Sequence, residues 1–183
     1  MIQKAAKFAT KAHEGAVRKG SHLPYIVHPM EVGMIVSLMT KDSEVIAAAY
    51  LHDVIEDAGV TYEELRKQFG DRVAQLVQGE SEDKSKTWKE RKQATIDHMK
   101  YAKKEERLIA FADKLSNLRS TAKDYLVMGD EIWQKFHEKD KRMHKWYYGC
   151  LKDAFQTFEG HPFYEEYCLL WDFVFEEKRT IKN

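Results

Sequence analysis

The chain has 183 residues, enough for one ordinary domain and few for two. Its 30 Lys plus Arg balance 30 Asp plus Glu, and a net charge of zero argues against a protein whose main task is coating nucleic acid or an anionic membrane. Hydrophobic residues at 43% and aromatics at 12% can fill a core, while the 33% charged fraction is mixed in sign, as on a solvated globular surface.

Only 3 prolines and 9 glycines interrupt the chain, which favours long helices over many short strands. Ile2, Ala5, Ala6, Phe8, Ala9 and Ala12 recur at helical spacing and predict a first helix. Gly15 and Gly20 bracket a polar loop that runs to Pro24. His28-Pro29 starts a second helix, since proline is tolerated in a first turn. Asp42 and Ser43 are candidate caps for a third, from Glu44 to about Glu56. Thr61-Tyr62-Glu63-Glu64 is a capping-box pattern that opens a short helix ending at Gly70. Thr87-Trp88-Lys89-Glu90 repeats the pattern after the polar stretch Gly79 to Lys86. A long helix is expected from about Lys104 to Asp124. Gly129 punctuates the chain before a helical region to about Phe158, and Gly160 with Pro162 turns it into a last helix.

No strong alternating strand pattern, internal repeat or low-complexity tract occurs. The expected fold is all-α, a single compact helical bundle over residues 1–183 in which 125–183 form a C-terminal helical extension packed on the rest. Cys150 and Cys168 make neither a disulfide framework nor a CxxC pair. The start lacks a secretion signal and no stretch has the length to span a bilayer, so a cytoplasmic protein without nucleic-acid or membrane partners is expected.

The most informative stretch is Val45 to Asp57. Its first part is apolar on every side, the mark of a buried helix. His52, Asp53, Glu56 and Asp57 then arrive together, with His52 and Glu56 at i, i+4 and Asp53 and Glu56 at i, i+3. Three carboxylates at a helix C-terminus oppose the macrodipole, and burying them unpaired costs several kcal/mol, so something positive should sit there. A divalent metal fits, because imidazole plus carboxylate suits Mn, Fe, Zn and similar ions. A His-Asp dipeptide alone is a weak signal, matched by an ordinary solvated helix end. Two distant elements change that: His28, at the start of a helix, and Asp113, an acid in the apolar run Ile109 to Leu118. Singly, His28 reads as a helix cap and Asp113 as a partner of Lys114 or Arg119; together with His52-Asp53 they form a spaced H…HD…D pattern.

These residues stand in a longer series: Ala12-His13-Glu14-Gly15, Arg18-Lys19-Gly20, Pro24-Tyr25-Ile26-Val27-His28-Pro29, Leu51-His52-Asp53-Val54-Ile55-Glu56-Asp57, Phe69-Gly70 and Ala112-Asp113-Lys114-Leu115-Ser116-Asn117-Leu118-Arg119. Several linked motifs in this order are far more specific than any one alone. The chain resembles the HD-domain superfamily of metal-dependent phosphohydrolases, and within it the small alarmone hydrolases related to the hydrolase domain of RelA/SpoT proteins, metazoan SpoT homologues included. The resemblance implies a helical enzyme that removes the 3′-diphosphate of guanosine tetra- or pentaphosphate as pyrophosphate, with Mn²⁺. It makes His28, His52, Asp53 and Asp113 the metal ligands. It makes Glu56 and Asp57 the acids that position or activate the attacking water. Arg18 and Lys19 then belong at the nucleotide mouth, Asn117 against the sugar–phosphate, and Ser120 at a position where relatives carry other polar residues.

The segment Gly79 to Lys92 departs from the long hydrolases, where a shorter Val-Thr-Lys-like turn is usual. It reads equally as a loop whose Lys or Arg side chains reach terminal phosphates and as a solvated loop before a capped helix. The substrate is therefore open between guanosine alarmones and another nucleotide, such as an adenine alarmone or NADPH. A non-hydrolysing nucleotide-binding regulatory module is the third reading, and the presence of all four ligands and both acids counts against it. His137, Lys141 and His144 share a helix face but are expected on a solvated charged surface, and His13 and His22 as structural or surface residues. Trp146-Tyr147-Tyr148 and the residues Leu169 to Phe175 are expected in core packing or an oligomer contact.

Overall fold

A computed structural model describes residues 1–18 and 22–176. These residues form α1 (Ile2–Ala12), α2 (Val27–Met39), α3 (Ser43–Leu51), α4 (Val54–Ala58), α5 (Tyr62–Phe69), α6 (Asp71–Gly79), α7 (Trp88–Tyr101), α8 (Lys104–Met128), α9 (Lys141–Ala154) and α10 (Pro162–Phe175), with 3₁₀ turns at Gly129–Lys135 and Gln156–Phe158. No strand occurs among the described residues, only an isolated bridge between Val17 and Pro24. The all-helical expectation holds. The chain divides into two compact units, one of Met1–Ser85 with Ala102–Ser116 and one of Lys86–Tyr101 with the chain from Asn117 onward. No described helix is long and apolar enough to cross a membrane.

In the first unit α3 is the central element. Val45, Ile46, Ala47, Ala48, Ala49 and Leu51 are all buried, so the helix has no wet face, and it packs against α1, α2 and α6. Each fully buried Leu, Ile or Val contributes about 1.5–3 kcal/mol. Asp42 starts the helix as expected, its carboxylate accepting from the Glu44 and Val45 N–H groups at 3.0 and 3.4 Å. Arg72 on α6 joins the same end, 2.7 Å from Asp42 and 2.8 Å from Glu44. Thr61 caps α5 through the Glu64 N–H at 3.1 Å. The α5–α6 junction turns at Gly70, whose φ of 94° lies in the region that favours glycine.

Three differences from the sequence expectation bear on the site. The expected helix from Glu44 to Glu56 stops at Leu51; His52 and Asp53 form a turn, and α4 begins at Val54. Glu56 and Asp57 therefore lie in the first turn of a new short helix, and the macrodipole no longer opposes them as it would at the end of an unbroken one. Helix α6 has no counterpart in the expectation. Its buried residues Val73, Ala74, Leu76 and Val77 follow Gly70 too closely for a separate helix to stand out from the pattern. Helix α8 runs four residues past the expected end at Asp124, to Met128.

The second unit is built on aromatic packing, with α9 against α7 and α10. Thr87 and Glu90 form the reciprocal capping box expected of them, with Thr87 N–H 2.9 Å from the Glu90 carboxylate and Glu90 N–H 3.3 Å from the Thr87 hydroxyl. His144 does not lie on a solvated face. It is buried among Trp133, Phe136 and Trp88, with ring centroids 5.0, 5.1 and 5.4 Å away, and its Nε2–H donates to the Glu138 carbonyl at 2.8 Å. His137 is exposed and Lys141 pairs with Asp130 at 2.9 Å, so this face holds no ligand cluster. Tyr147, Val174 and Phe175 are buried, whereas Leu169 is 70% and Phe173 36% exposed, so the core takes only part of these aromatic segments.

Candidate metal centre

Each ligand candidate is placed by a different local device. The loop after α1 is pinned by the Tyr25 N–H to the Ala16 carbonyl at 2.8 Å and the Arg18 N–H to the Leu23 carbonyl at 3.0 Å. It delivers His28 to the first turn of α2, where the side chain is 2% exposed. The break after Leu51 puts His52 and Asp53 in the turn, with Asp53 at φ −97°, ψ −2°, a sparsely populated bridge conformation in which many active-site residues sit. Asp113 is buried in the Leu108–Leu115 run of α8, apolar but for Asp113 and Lys114.

The four side chains converge. His28 Nε2 is 3.0 Å from Asp113 Oδ1 and 3.6 Å from Asp53 Oδ2. His52 Nε2 is 3.0 Å from Asp53 Oδ2 and 3.7 Å from Asp113 Oδ1. The two Nε2 atoms face each other at 3.3 Å. The ligand atoms of His28, His52 and Asp113 all lie within 4.8 Å of one another. His52 Nδ1–H donates to the Ala49 carbonyl at 2.9 Å, and a carbonyl only accepts, so Nε2 is the nitrogen free to bind an ion. The group that could hold an ion is His28, His52 and Asp113, whose imidazole and carboxylate donors suit a divalent transition metal; Asp53, the fourth expected ligand, lies beside it with Oδ2 3.0 Å from His52 Nε2.

The electrostatics fit a site made for positive charge. Burial works against a charged His52, but the Asp53 carboxylate and the bonds to Asp113 and Asp53 outweigh it and hold its pKa well above the usual value. Burial likewise opposes ionised Asp113, yet the Lys114 ammonium and the two imidazoles hold its pKa well below the carboxylate range. Asp53 is lowered in the same way, its burial outweighed by His52. His28 goes the other way: burial lowers its pKa despite Asp113, so it stays neutral and a lone pair is available. One protonated imidazole among these carboxylates occupies the electrostatic role that a cation would take.

Glu56 and Asp57 stand beside this cluster. The Tyr25 hydroxyl is 2.5 Å from Asp53 Oδ2 and 3.2 Å from Asp57 Oδ2, linking ligand and acid. Burial raises the Glu56 pKa, partly countered by the Glu82 N–H, which is 3.3 Å from Glu56 Oε2. Lys84 Nζ lies 2.8 Å from the Glu56 carbonyl and 3.2 Å from Asp57 Oδ1, so the loop after α6 returns a cation to the acids. Arg18 is half-buried on the loop that presents Tyr25 and His28, while Lys19 lies outside the described residues. Asn117 and Ser120 follow Asp113 by one and two turns on α8, and both belong to the second unit.

Sequence reasoning missed four groups at this site. Tyr25 was visible only as part of a motif. Ser116 Oγ is 2.9 Å from His28 Nδ1 and donates to Glu31 Oε2 at 2.7 Å, contacts made across more than eighty residues of chain. Glu80 closes α6, and burial raises its pKa to about 8 against the pull of Lys114, with Asp113 adding to the rise. Without a helix assigned at 71–79 no pattern pointed to it.

A family model for the HD domain matches residues 5–138. The chain belongs to the HD-domain family. Among curated relatives, this HD-domain chain is 39% identical over 122 residues to the zebrafish (Danio rerio) guanosine-3′,5′-bis(diphosphate) 3′-pyrophosphohydrolase MESH1, covering 65% of this chain and 68% of the relative. Among solved structures, a Listeria monocytogenes EGD-e protein aligns with TM-score 0.75 and 34% identity, over 82% of this chain and 99% of that one. A metazoan ortholog of SpoT, described as hydrolysing ppGpp, aligns with TM-score 0.75 and 27% identity over 93% of each chain. The HD fold expected from the motif series is therefore the observed one.

Proposed function

We propose that this HD-domain chain hydrolyses the 3′-diphosphate of guanosine tetra- or pentaphosphate to pyrophosphate and GDP or GTP, with Mn²⁺ as its ion. The observation that carries the reading is the convergence of His28, His52, Asp53 and Asp113 beside Glu56 and Asp57, in a chain similar over 122 residues to an enzyme named for that reaction. An ion held by these two imidazoles and two carboxylates would acidify a water and offset charge on the phosphoryl group.

The chain's own groups supply the remaining chemistry. Glu56, made a better base by burial, accepts a proton from the attacking water, and Asp57 beside it orients that water. Tyr25 keeps its own proton, since burial and Asp53 raise its pKa, and its hydroxyl holds the Asp53 and Asp57 carboxylates in register. As the water oxygen bonds to phosphorus, the bond from phosphorus to the ribose 3′ oxygen breaks and that oxygen takes a proton. Lys84 offsets part of the negative charge gathered at Glu56 and Asp57. The resemblance assigns Arg18 and Lys19 to the base and phosphate and Asn117 to the sugar–phosphate, with Ser120 at a position where relatives carry other polar residues; alanine at Arg18, Lys19 or Asn117 should raise KM more than it lowers kcat.

The test is a Mn²⁺-supplemented assay with guanosine tetraphosphate, an adenine alarmone and NADPH as alternatives, resolving pyrophosphate from orthophosphate. GDP and pyrophosphate in equal amounts are expected. Turnover of an alternative alone would replace the substrate, and turnover of none would overturn the reading.

A further inference from the structure

The Glu31–Ser116–His28 contacts form a chain that ends on a metal-site imidazole, and neither Glu31 nor Ser116 belongs to the ligand set or to the acids. Ser116 is fully buried on α8 and Glu31 is half-buried one turn after His28 on α2. Ser116 Oγ sits 2.7 Å from Glu31 Oε2 and 2.9 Å from His28 Nδ1. A serine hydroxyl has one proton to give, and a carboxylate oxygen accepts. The proton therefore goes to Glu31, which leaves Ser116 Oγ as the acceptor and requires His28 Nδ1 to be the N–H donor. A neutral imidazole protonated at Nδ1 has its lone pair on Nε2, the atom 3.0 Å from Asp113 Oδ1 and 3.3 Å from His52 Nε2. His52 Nδ1 is likewise held as a donor, by the Ala49 carbonyl, a fixed acceptor. His28 has no such carbonyl: a lone serine hydroxyl could equally donate to Nδ1, which would put the proton on Nε2 and block an ion. Glu31 removes that alternative by taking the serine proton.

We infer that Glu31 and Ser116 are positioning residues that set the tautomer and ring orientation of His28 for metal binding. The inference rests on the metal reading above for its purpose, and without an ion the Asp113 carboxylate 3.0 Å from Nε2 also draws a proton to that nitrogen; what Glu31 and Ser116 fix is the proton on Nδ1.

The experiment records long-range ¹H–¹⁵N correlations of the histidine rings in metal-free protein at pH 8, then Mn²⁺ binding by calorimetry, for wild type, Glu31→Leu, Glu31→Gln and Ser116→Ala. In wild type His28 Nδ1 should carry a proton. Glu31→Leu should leave Nδ1 bare, as the acceptor of the serine proton, and weaken Mn²⁺ binding about 10- to 100-fold, the usual cost of losing an outer partner of a ligating histidine. Ser116→Ala should weaken binding similarly, while Glu31→Gln, whose amide oxygen still accepts, should stay near wild type. Because Glu31 is half-buried, metal-free Glu31→Leu should keep its urea midpoint, which separates a positioning role from loss of fold. A wild-type His28 with a bare Nδ1, or a Glu31→Leu protein with unchanged Nδ1 protonation and Mn²⁺ affinity, would overturn the inference. Wild type that binds no Mn²⁺ but shows the Nδ1–H tautomer would instead overturn the metal reading and leave the relay standing.

Discussion

Gly33→Ala probes the contact between α2, which bears His28, and α3, whose end leads into His52. Gly33 lies in α2, five residues after His28, and faces the Tyr50 ring of α3, two residues before His52. A Cβ at Gly33 would stand 2.5 Å from Tyr50 Cζ and 2.6 Å from both Cε atoms. Carbon atoms make optimal contact at about 3.5–4.0 Å, so the ring or the helix must withdraw by roughly 1 Å. Overpacking of this kind costs about 1–3 kcal/mol, against which the helix-propensity gain of alanine over glycine returns only about 1 kcal/mol. Net destabilisation of up to about 2 kcal/mol follows, read as a lower urea midpoint of the metal-free protein. Mn²⁺ binding should weaken too, because the adjustment separates His28 from His52. A double-mutant cycle isolates the cause: in a Tyr50→Ala background the same substitution should stabilise, by about the propensity term of 1 kcal/mol. Gly33→Ala that stabilises the wild-type protein, or destabilises equally in both backgrounds, would refute the packing argument.

Four further outcomes are expected. Asp113→Asn should abolish Mn²⁺-dependent pyrophosphate release, whereas wild-type rates in a metal-depleted assay would contradict the site. Because burial raises the Glu56 pKa and Lys84 opposes that rise, activity should be lost as pH falls through a value above the ordinary glutamate range, and Lys84→Met should move this acid limb to higher pH; pH–kcat profiles of the two proteins measure it. Because the carboxylates hold a proton on His52, an ion must displace it, so Mn²⁺ affinity should rise with pH, with proton release seen as a buffer-dependent binding enthalpy. Glu80, with a folded-state pKa raised to about 8 from 4.5, stabilises the metal-free fold fully below pH 4.5 and loses that contribution as pH rises through 8. Glu80→Gln should therefore gain stability relative to wild type between pH 5 and pH 9, and parallel urea midpoints at the two pH values would count against it.

The motif series carried a family resemblance, and that resemblance implied the four ligand candidates, because an H…HD…D series read together constrains more than any member does. Residue types and their order along the chain were enough for the helical class, since the capping residues Asp42, Thr61 and Thr87 act as their patterns indicate. What escaped was set by contacts distant in sequence. Val54 and Ile55 continue the apolar run of Val45 to Leu51, so nothing local marks the turn at His52-Asp53 that gathers the site. Ser116 and Glu31 matter only because α8 and α2 meet, and each alone is an unremarkable polar residue. His144 looked solvated because its sequence neighbours are charged, yet three aromatic rings enclose it. A charged neighbourhood in sequence does not tell which way one helical side chain faces.

The central claim is that the cluster of His28, His52, Asp53 and Asp113 holds the ion on which hydrolysis depends. A single Mn²⁺ titration of metal-stripped protein, following bound Mn²⁺ and pyrophosphate released from guanosine tetraphosphate in the same samples, tests it most directly. The account predicts that activity rises in proportion to one bound ion per chain and that His52→Ala loses both together. Full turnover before any ion binds, or a His52→Ala protein that binds and hydrolyses as wild type does, would contradict it.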